Sequence, residues 1–188
     1  MTSSENNLPR LAWAITGSGH FLPECLELMR EFVQLDVFLS SAAEEVLRMY
    51  KLQLDLPEGV RVRRDRTASA APVGSFYHGD YHTLVVAPAT SNSVAKFVTG
   101  ISDTLVTNVF AQAGKCRIPI IVYACDTGAE IESMAPGGMV KVFPRQIDLE
   151  NVERLKQFSA TTVVDSVEAL SDTLRKRISC LNLSVSSS

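Results

Sequence analysis

One segment, Thr83–Phe110, combines a short apolar run, a turn of small polar residues and a helical pattern of apolar residues. The apolar run at 84–86 is bounded by turn residues, which is typical of a buried strand. Hydroxyl and amide side chains dominate positions 88–93, and helical sequence then continues with an interruption at Gly100. Such groups at a strand–helix junction can bind an anion or a polar ring. The segment therefore predicts an α/β unit with a ligand site at its turn.

The alternation of apolar runs and helical patterns extends over most of the chain. Unbroken apolar strands alternating with helices indicate a parallel sheet covered by helices on both faces. Trp13 and Phe38 are expected in the core, Asp148 and Ser166 are expected to cap the last two helices, and 126–145 is predicted to be a loop. Strands are predicted at 11–16, 37–39, 60–62, 83–87, 118–123 and 162–164, and helices at 21–33, 41–50, 91–100, 102–113, 148–158 and 166–181.

Length and composition favour one globular domain over 1–188, with flexible ends at 1–8 and 184–188. Hydrophobic residues make up 46% and charged residues 21% of the 188 residues. The formal net charge of −3, without a basic stripe, argues against nucleic-acid binding. No apolar run approaches the roughly 18 residues of a membrane span. We expect a soluble, cytoplasmic protein.

The cysteine pattern argues against a metal site. The chain has neither a Cys-x-x-Cys pair nor a histidine at the spacing of metal ligands. Free thiols in a reducing compartment are therefore expected. The four cysteines are Cys25, Cys116, Cys125 and Cys180.

Three polar loops follow predicted strands, at 16–20, 40–41 and 88–93. The first contains Gly-Ser-Gly before a helix, where a phosphate can approach the backbone and the helix N-terminus carries partial positive charge. A plain tight turn is the alternative for this loop by itself. Because the carboxyl ends of parallel strands share one edge of a sheet, the three loops are expected to meet in one crevice. Leu22 stands where a third fingerprint glycine would be, and Ser40-Ser41 stand where an acidic residue would bind a ribose. Both departures favour one phosphate over a dinucleotide.

The segment 87–110, APATSNSVAKFVTGISDTLVTNVF, resembles the Pro-Ala-Ser-Ala-Asn-Thr signature of the homo-oligomeric flavin-containing cysteine decarboxylase superfamily. The Ala-Lys, Gly-Ile and Asp-x-Leu that follow this signature are also present. The Gly-Ser-Gly at 17–19 and the hydroxyl of Ser40 match the superfamily's phosphate loop and the hydroxyl after its second strand.

The resemblance implies a flavodoxin-like (Rossmann-like) three-layer α/β fold that binds FMN near a subunit interface, in trimers that often form dodecamers. It assigns Gly17, Ser18, Gly19 and Ser40 to the phosphate, and Pro88, Ala89, Thr90, Ser91, Asn92 and Ser93 to the ribityl chain and ring. Further candidates for cofactor binding are His20, Ser41, Ser102, Asp103, Thr104, Leu105 and Cys125.

Two departures argue against decarboxylation of cysteine peptides. The superfamily's active-site histidine corresponds to Gly74 here, and His78 and His82 are out of register. The methionine-rich substrate clamp has no clear counterpart. The chain is more similar to the archaeal-type flavoproteins, including flavin-dependent dihydromethanopterin reductase, in its Thr-Gly-Ser-Gly-His loop and in the segment 145–152. A Cys-Asp pair after the strand at 118–123 is a further shared feature.

The resemblance implies an FMN-dependent oxidoreductase of one-carbon metabolism that reduces dihydromethanopterin or a related dihydropterin. Electrons would come from NAD(P)H or another carrier, and no catalytic side chain is predicted because the cofactor performs the chemistry. The alternatives are a flavin-dependent decarboxylase or prenyltransferase, and a nonenzymatic flavin-binding regulator.

Several residues have two interpretations from sequence alone. Lys96 either faces the flavin or, as expected of a helix charge, faces water. Asp103 either contacts the ligand or caps the following helix. The arginines at 61–66 either recruit a phosphorylated partner or lie on an exposed loop, which is the expected case. The aromatic residues at 77–82 either pack within a loop or stack on a flat ligand. His20 either contacts the flavin or is solvated, and Cys125 either lines the flavin or is a buried thiol.

Overall fold

The computed structural model describes residues 9–66, 71–135 and 137–181. The predicted flexible ends at 1–8 and 184–188 lie outside these residues. The strands are β1 Arg10–Ile15, β2 Leu35–Leu39, β3 Arg61–Arg64, β4 Tyr81–Ala89, β5 Ile120–Ala124, β6 Ile131–Ala135, β7 Gly138–Val142 and β8 Thr161–Val164. The α-helices are α1 Leu22–Met29, α2 Ser41–Met49, α3 Ser91–Thr99, α4 Leu105–Lys115, α5 Gln146–Leu155 and α6 Val167–Cys180, and a 3-10 helix spans Ala71–Phe76.

Six strands form a sheet in the order β3-β2-β1-β4-β5-β8, and every neighbouring pair is parallel. Trp13 of β1 lies opposite Val37 of β2 and Val85 of β4. Without the edge strand β3, this is the strand order of the flavodoxin-like fold. The chain moves outward in one direction after β1 and in the other after β4, so the switch point lies between these strands. The predicted parallel α/β sheet is confirmed.

The core consists of two apolar layers, one on each face of the sheet. Successive strand residues point to opposite faces, so Ala12 packs in one layer and Trp13 in the other. Helices α3, α4 and α5 cover the first face, and α1, α2 and α6 cover the second. Trp13 and Phe38 are fully buried, as predicted, and the Trp13 Nε1–H donates to the carbonyl of Ala87 at 2.9 Å.

The segment predicted to be a loop at 126–145 contains an antiparallel hairpin of β6 and β7. Both strands are short and largely exposed, so they lack the apolar run that identifies a buried strand. The cap of α5 also differs from the prediction. Arg145 is the N-cap residue, and Asp148, three residues later, accepts a hydrogen bond from the Arg145 backbone N–H at 3.0 Å. Ser166 caps α6 as predicted, accepting from the Ala169 N–H at 3.1 Å.

A charged cluster closes the amino end of the sheet. The carboxylate of Asp36 is fully buried and accepts hydrogen bonds from Arg10 at 2.7 Å, Arg61 at 2.8 Å and the Tyr81 hydroxyl at 2.7 Å. Arg61 and Arg64 are exposed, as predicted, but they lie in β3 rather than in a loop, and Arg64 pairs with Glu44 at 2.7 Å. Edge strand β3 carries these arginines because their partners lie on β2 and α2.

The aromatic segment at 77–82 does not form one stacking surface. Tyr81 is buried with Phe38 and Phe76 at the start of β4, whereas Tyr77 and His78 are exposed. The Tyr77 hydroxyl donates to Gln112 on α4. Tyr81 and His82 begin β4, so they lie at the sheet edge opposite the loops that follow the strands. Stacking of these rings on a ligand in the predicted crevice is thus contradicted.

Within the described parts of the chain, no helix is long and apolar enough to cross a membrane.

Candidate functional site

A cleft of about 420 Å³ lies at the carboxyl edge of the sheet, at the switch point between β1 and β4. The N-termini of α2, α3 and α4 surround it, together with the loop after β1. In open α/β sheets this is the place where ligands bind. The predicted convergence of the three polar loops is therefore seen in the structure. The lining residues are Gly17, Ser40, Ser41, Ala42, Asp65, Thr90, Asn92, Ser93, Lys96, Thr104, Val106 and Thr107.

Each of the three helices begins with a hydroxyl cap. The Ser40 side chain accepts from the Ala43 N–H at 3.0 Å and the Thr90 side chain from the Ser93 N–H at 3.2 Å. Thr104 caps α4 in a reciprocal arrangement with Thr107. A cap satisfies one of the four N–H groups that a helix start leaves without intrahelical partners. The remaining N–H groups and three aligned helix dipoles favour an anion in this cleft.

Thr16 connects the ends of the two strands beside the cleft. Its hydroxyl donates to the carbonyl of Pro88 at 2.8 Å and accepts from the N–H of Thr90 at 2.9 Å. The Thr16 side chain is buried, so these bonds are protected from water. The hydroxyl therefore fixes the turn at 88–93 relative to the loop at 16–20. The sequence placed Thr16 in a polar loop but did not distinguish this supporting function from ligand contact.

The glycines of the loop after β1 are required by close approach of α2. A Cβ atom on Gly17 would lie 2.5 Å from the Cβ of Ala42. A Cβ atom on Gly19 would lie 2.6 Å from the ring of Tyr50. A side chain at position 17 would push the loop away from α2, whereas one at position 19 would require the Tyr50 ring to move, so Gly17 in particular lets the loop form one wall of the cleft.

Ser18, His20 and Cys125 lie near this loop but do not line the cleft. The Cys125 thiol donates to the Ser18 hydroxyl at 3.2 Å, and burial raises the pKa of this thiol to about 12. Burial likewise lowers the pKa of His20, despite the opposing charges of Asp126 and Glu24. Both side chains are therefore neutral near pH 7. The buried His20 Nδ1 has no hydrogen-bond partner among the described residues, and the ring packs edge-on against Phe21.

Lys96 faces the cleft rather than open water, which corrects the expectation for this residue. Its ammonium group donates to both carboxylate oxygens of Asp103, at 2.9 and 2.8 Å. The hydrogen bond from Lys96 lowers the pKa of Asp103. Asp103 is not the helix cap, because Thr104 has that position. The ion pair connects α3 to the segment that precedes α4, and so braces one side of the cleft.

The remaining candidates from the sequence lie around the cleft without lining it. Pro88 and Ala89 are the last residues of β4 rather than part of the turn. The Ser91 hydroxyl donates to Asp126, and Leu105 is buried in the core. Ser102 lines a neighbouring groove. The candidates that line the cleft are Gly17, Ser40, Ser41, Thr90, Asn92, Ser93 and Thr104.

Sequence reasoning missed four lining residues besides Lys96: Ala42, Asp65, Val106 and Thr107. A threonine three residues after Thr104 is a usable signal, since a polar side chain there can complete a reciprocal cap. Ala42 and Val106 carry no such signal because small and apolar residues fit a core equally well. Asp65 follows β3, whose charged sequence is not typical of a buried strand.

Known proteins are similar to this chain in both sequence and fold. It is 52% identical to DmrB of Burkholderia xenovorans, whose crystal structure in complex with FMN is described as a cubic protein cage for redox transfer. That match covers 93% of this chain and 98% of DmrB, with a TM-score of 0.85. The chain is also 30% identical to a dihydromethanopterin reductase (acceptor) of Methanosarcina mazei, over 86% of this chain and 97% of that protein.

The fold is shared more widely. A dodecameric FMN-dependent UbiX-like decarboxylase from Escherichia coli O157:H7 is 14% identical, with a TM-score of 0.61 over 93% of this chain and 94% of that one. At this identity the match shows a common fold alone. Residues 1–179 match the sequence model of the Flavoprotein family. With the family match over nearly its whole length, this chain belongs to the Flavoprotein family.

Proposed function

We propose that the protein binds FMN in the cleft and acts as an oxidoreductase that reduces dihydromethanopterin or a related dihydropterin. The observation that carries this proposal is the meeting of three helix N-termini at the switch point of a flavodoxin-like sheet. It is supported by 52% identity to the FMN-binding DmrB and 30% identity to a dihydromethanopterin reductase. Residues 1–188 are proposed to form one flavoprotein domain.

The phosphate of FMN is proposed to lie against the loop at 17–19 and the start of α2 at Ser40 and Ser41. Helix dipoles and backbone N–H groups supply the positive potential for it, so a basic side chain beside the phosphate is unnecessary. The turn at 88–93 is proposed to contact the ribityl chain and the ring. The other candidates near this arrangement are His20, Ser102, Asp103, Thr104, Leu105 and Cys125.

The chain's own residues position the cofactor and tune its surroundings. Bound FMN would supply the electron transfer to the substrate. The described lining residues include no cysteine or histidine, and the nearby Cys125 and His20 are held neutral by burial. Lys96, fixed by Asp103, places a cation at the rim of the cleft. This arrangement suits cofactor chemistry better than catalysis by a side-chain nucleophile.

The electron donor and the assembly are part of the same proposal. NAD(P)H is proposed as a donor, on the resemblance stated above. A homo-oligomer built from trimers, up to a dodecamer, is proposed on the same resemblance, and the cubic cage of DmrB supports homo-oligomer assembly. A cytoplasmic location stays a prediction from the sequence.

The direct test is flavin binding followed by turnover. Purified protein should be yellow, and apoprotein titrated with FMN should bind about one FMN per chain. The FMN-loaded protein should oxidise NAD(P)H faster when dihydromethanopterin is present, and tetrahydromethanopterin should accumulate. Colourless protein that fails to bind added FMN would contradict the whole proposal. Bound FMN without pterin turnover, with either NAD(P)H or a chemical reductant, would contradict only the reductase activity.

A substitution that adds a negative charge to the cleft tests whether FMN binds there. Asn92 lines the cleft and is exposed at the first turn of α3, so Asn92→Asp adds a negative charge there with almost no change in shape. We expect FMN affinity to fall about tenfold, because a negative charge in the cleft that binds an anionic ligand costs on the order of 1 kcal/mol. Asn92→Ser is the matched neutral variant and should retain FMN. Equal FMN affinity in both variants would place the cofactor elsewhere.

A further inference from the structure

A second groove, of about 300 Å³, adjoins the cofactor cleft. It lies between α3, α4 and Phe158, which follows α5. Lys96 and Thr107 line both the groove and the cleft, so the two spaces are neighbours. A ligand in the groove would therefore lie beside a cofactor in the cleft.

The walls of the groove are aromatic and aliphatic. The rings of Phe97 and Phe110 are stacked, with centroids 4.0 Å apart, and Phe158 lies 6.4 Å from Phe110. Ile101 and Phe158 are 48% and 37% exposed, so both present apolar surface to a ligand in the groove. The exposed ring of Phe158, beside the buried Phe97–Phe110 pair, favours a flat ring system as the ligand, because aromatic rings stack on or edge against one another.

The charges in the groove are positive. Lys115, the last residue of α4, is exposed and has no ion-pair partner within the described part of the chain. Lys96 is already paired with Asp103 at the junction with the cleft. None of the described residues that line the groove is acidic. An unpaired cation beside an aromatic wall suits a flat ligand that carries an acidic tail.

We propose that this groove is the substrate site, and that it binds a reduced pterin whose ring lies against Phe158 and Ile101 and whose acidic tail reaches Lys115. The proposal rests on the proposed function, since the ligand class comes from the reductase activity. It adds the location of the substrate, the residues that hold it and a preference for acidic tails. Of the two clefts, the groove has the apolar walls and the cofactor cleft has the helix N-termini.

Calorimetric titration of the FMN-loaded protein with two pterins distinguishes the contribution of the ring to binding from that of the acidic tail. The two ligands are dihydromethanopterin, which carries acidic groups, and 7,8-dihydrobiopterin, which has a neutral side chain. Phe158→Ala should weaken binding of both pterins about tenfold, through loss of ring contact. Lys115→Gln should weaken only the acidic pterin, about threefold, as expected for an exposed ion pair.

Two variants outside both clefts are the matched controls. Phe143→Ala removes an aromatic side chain that is 68% exposed, and Lys176→Gln removes an exposed lysine on α6. Neither should change pterin affinity, and all four variants should retain FMN. The proposal is overturned if groove and control variants bind both pterins equally well, or if the wild-type protein binds neither pterin.

Two further outcomes distinguish this proposal from others. If Phe158→Ala lowers the oligomeric mass in light scattering while pterin affinity stays unchanged, a second copy of the chain covers the groove and the proposal is overturned. If the protein binds no FMN, the proposed function fails, and titration of the FMN-free protein with the same two pterins still decides whether the groove binds them.

Discussion

The charged groups at the two ends of the parallel strands, the amino edge and the carboxyl edge of the sheet, have different partners. At the amino edge, the buried Asp36 carboxylate is paired with Arg10 and Arg61 and hydrogen-bonded by Tyr81. At the carboxyl edge, the helix starts are capped by neutral hydroxyls, and Lys96 and Asp65 are the charged residues among the described cleft lining. The amino edge thus neutralises its buried carboxylate with its own side chains, whereas the carboxyl edge keeps positive potential available for a ligand.

This difference shows how one sheet can separate stability from binding. Burial alone would raise the pKa of Asp36, but the hydrogen bonds from Arg61, Tyr81 and Arg10 outweigh burial and hold this pKa below its usual value. A group that is already satisfied has little affinity for a ligand. Helix N-termini lack such internal partners, so a bound anion can satisfy them. Changes at the amino edge should therefore affect unfolding alone, and changes at the carboxyl edge should also affect FMN retention.

The largest effect is expected for Asp36→Asn. Removing one charge from a buried ion pair leaves Arg10 and Arg61 without their counter-ion and should lower the free energy of unfolding by about 3 kcal/mol. Urea denaturation measures this change, and the FMN dissociation constant of the folded variant should equal that of the wild type. Glu27→Gln, which breaks the exposed pair with Arg30, is the control and should cost at most about 1 kcal/mol. Weaker FMN binding in Asp36→Asn would contradict the separation of the two edges.

Gly17→Ala should come next and should affect both properties. The new Cβ would overlap Ala42, so we expect a loss of about 2 kcal/mol in the free energy of unfolding, as for other overpacked contacts. Displacement of the loop should also lower FMN affinity. The double variant Gly17→Ala/Ala42→Gly removes the overlap and should recover FMN affinity, with Ala42→Gly as its control. If the double variant stays colourless, Gly17 is required for space at the phosphate rather than for contact with α2.

Thr16→Val should have a smaller effect of the same kind. The variant keeps the side-chain shape but leaves the Thr90 N–H and the Pro88 carbonyl without their bonds to the hydroxyl, at a cost of roughly 1–2 kcal/mol in unfolding free energy. Because the turn at 88–93 is then less fixed, FMN should dissociate faster in stopped-flow dilution. Thr99→Val removes an exposed hydroxyl that bonds the Ala95 carbonyl and is the control. Equal dissociation rates in both variants would show that Thr16 does not position the turn.

The carboxyl edge was more predictable from the sequence than the amino edge. Apolar runs such as 84–86 indicate buried strands, and parallel strands necessarily bring their following loops to one edge. The crevice between the loops at 16–20, 40–41 and 88–93 follows from these two facts alone. Its glycines, however, have a reason that the sequence does not display, because the contact of Gly17 with Ala42 depends on how α2 packs.

The amino edge depends on partners that are distant in sequence. Arg61 lies 25 residues from Asp36, so the sequence does not show that it pairs with a buried carboxylate until the pairing of β2 with β3 is known. Lys96 was similarly expected in water because its partner Asp103 lies beyond the end of α3. The hairpin at 131–142 was missed because its residues are mostly exposed and lack the pattern of a half-buried strand. In each case tertiary contacts, rather than local pattern, determine the structure.

The last effect is absent at neutral pH, appears only in acid, and again belongs to the amino edge. His82 accepts or donates a hydrogen bond with the Thr83 hydroxyl at 2.8 Å, and Arg177 donates to the same hydroxyl and to the His82 carbonyl. Burial, followed by the charge of Arg177, lowers the pKa of His82 to about 4. The unfolded chain therefore takes up a proton near the ordinary pKa of about 6.5, whereas the folded protein takes it up only near 4.

Stability should consequently be constant with respect to His82 above pH 6.5 and should fall as the pH decreases from 6.5 to about 4. His82→Gln should flatten this part of the profile of unfolding free energy against pH, measured by urea denaturation at a series of pH values. The pKa of His20 is also lowered by burial, so this residue should still make the stability of the variant depend on pH. A profile that stays the same in His82→Gln would mean that His82 is as readily protonated in the folded protein as in the unfolded chain. The amino edge would then accept a positive charge on His82 without loss of stability.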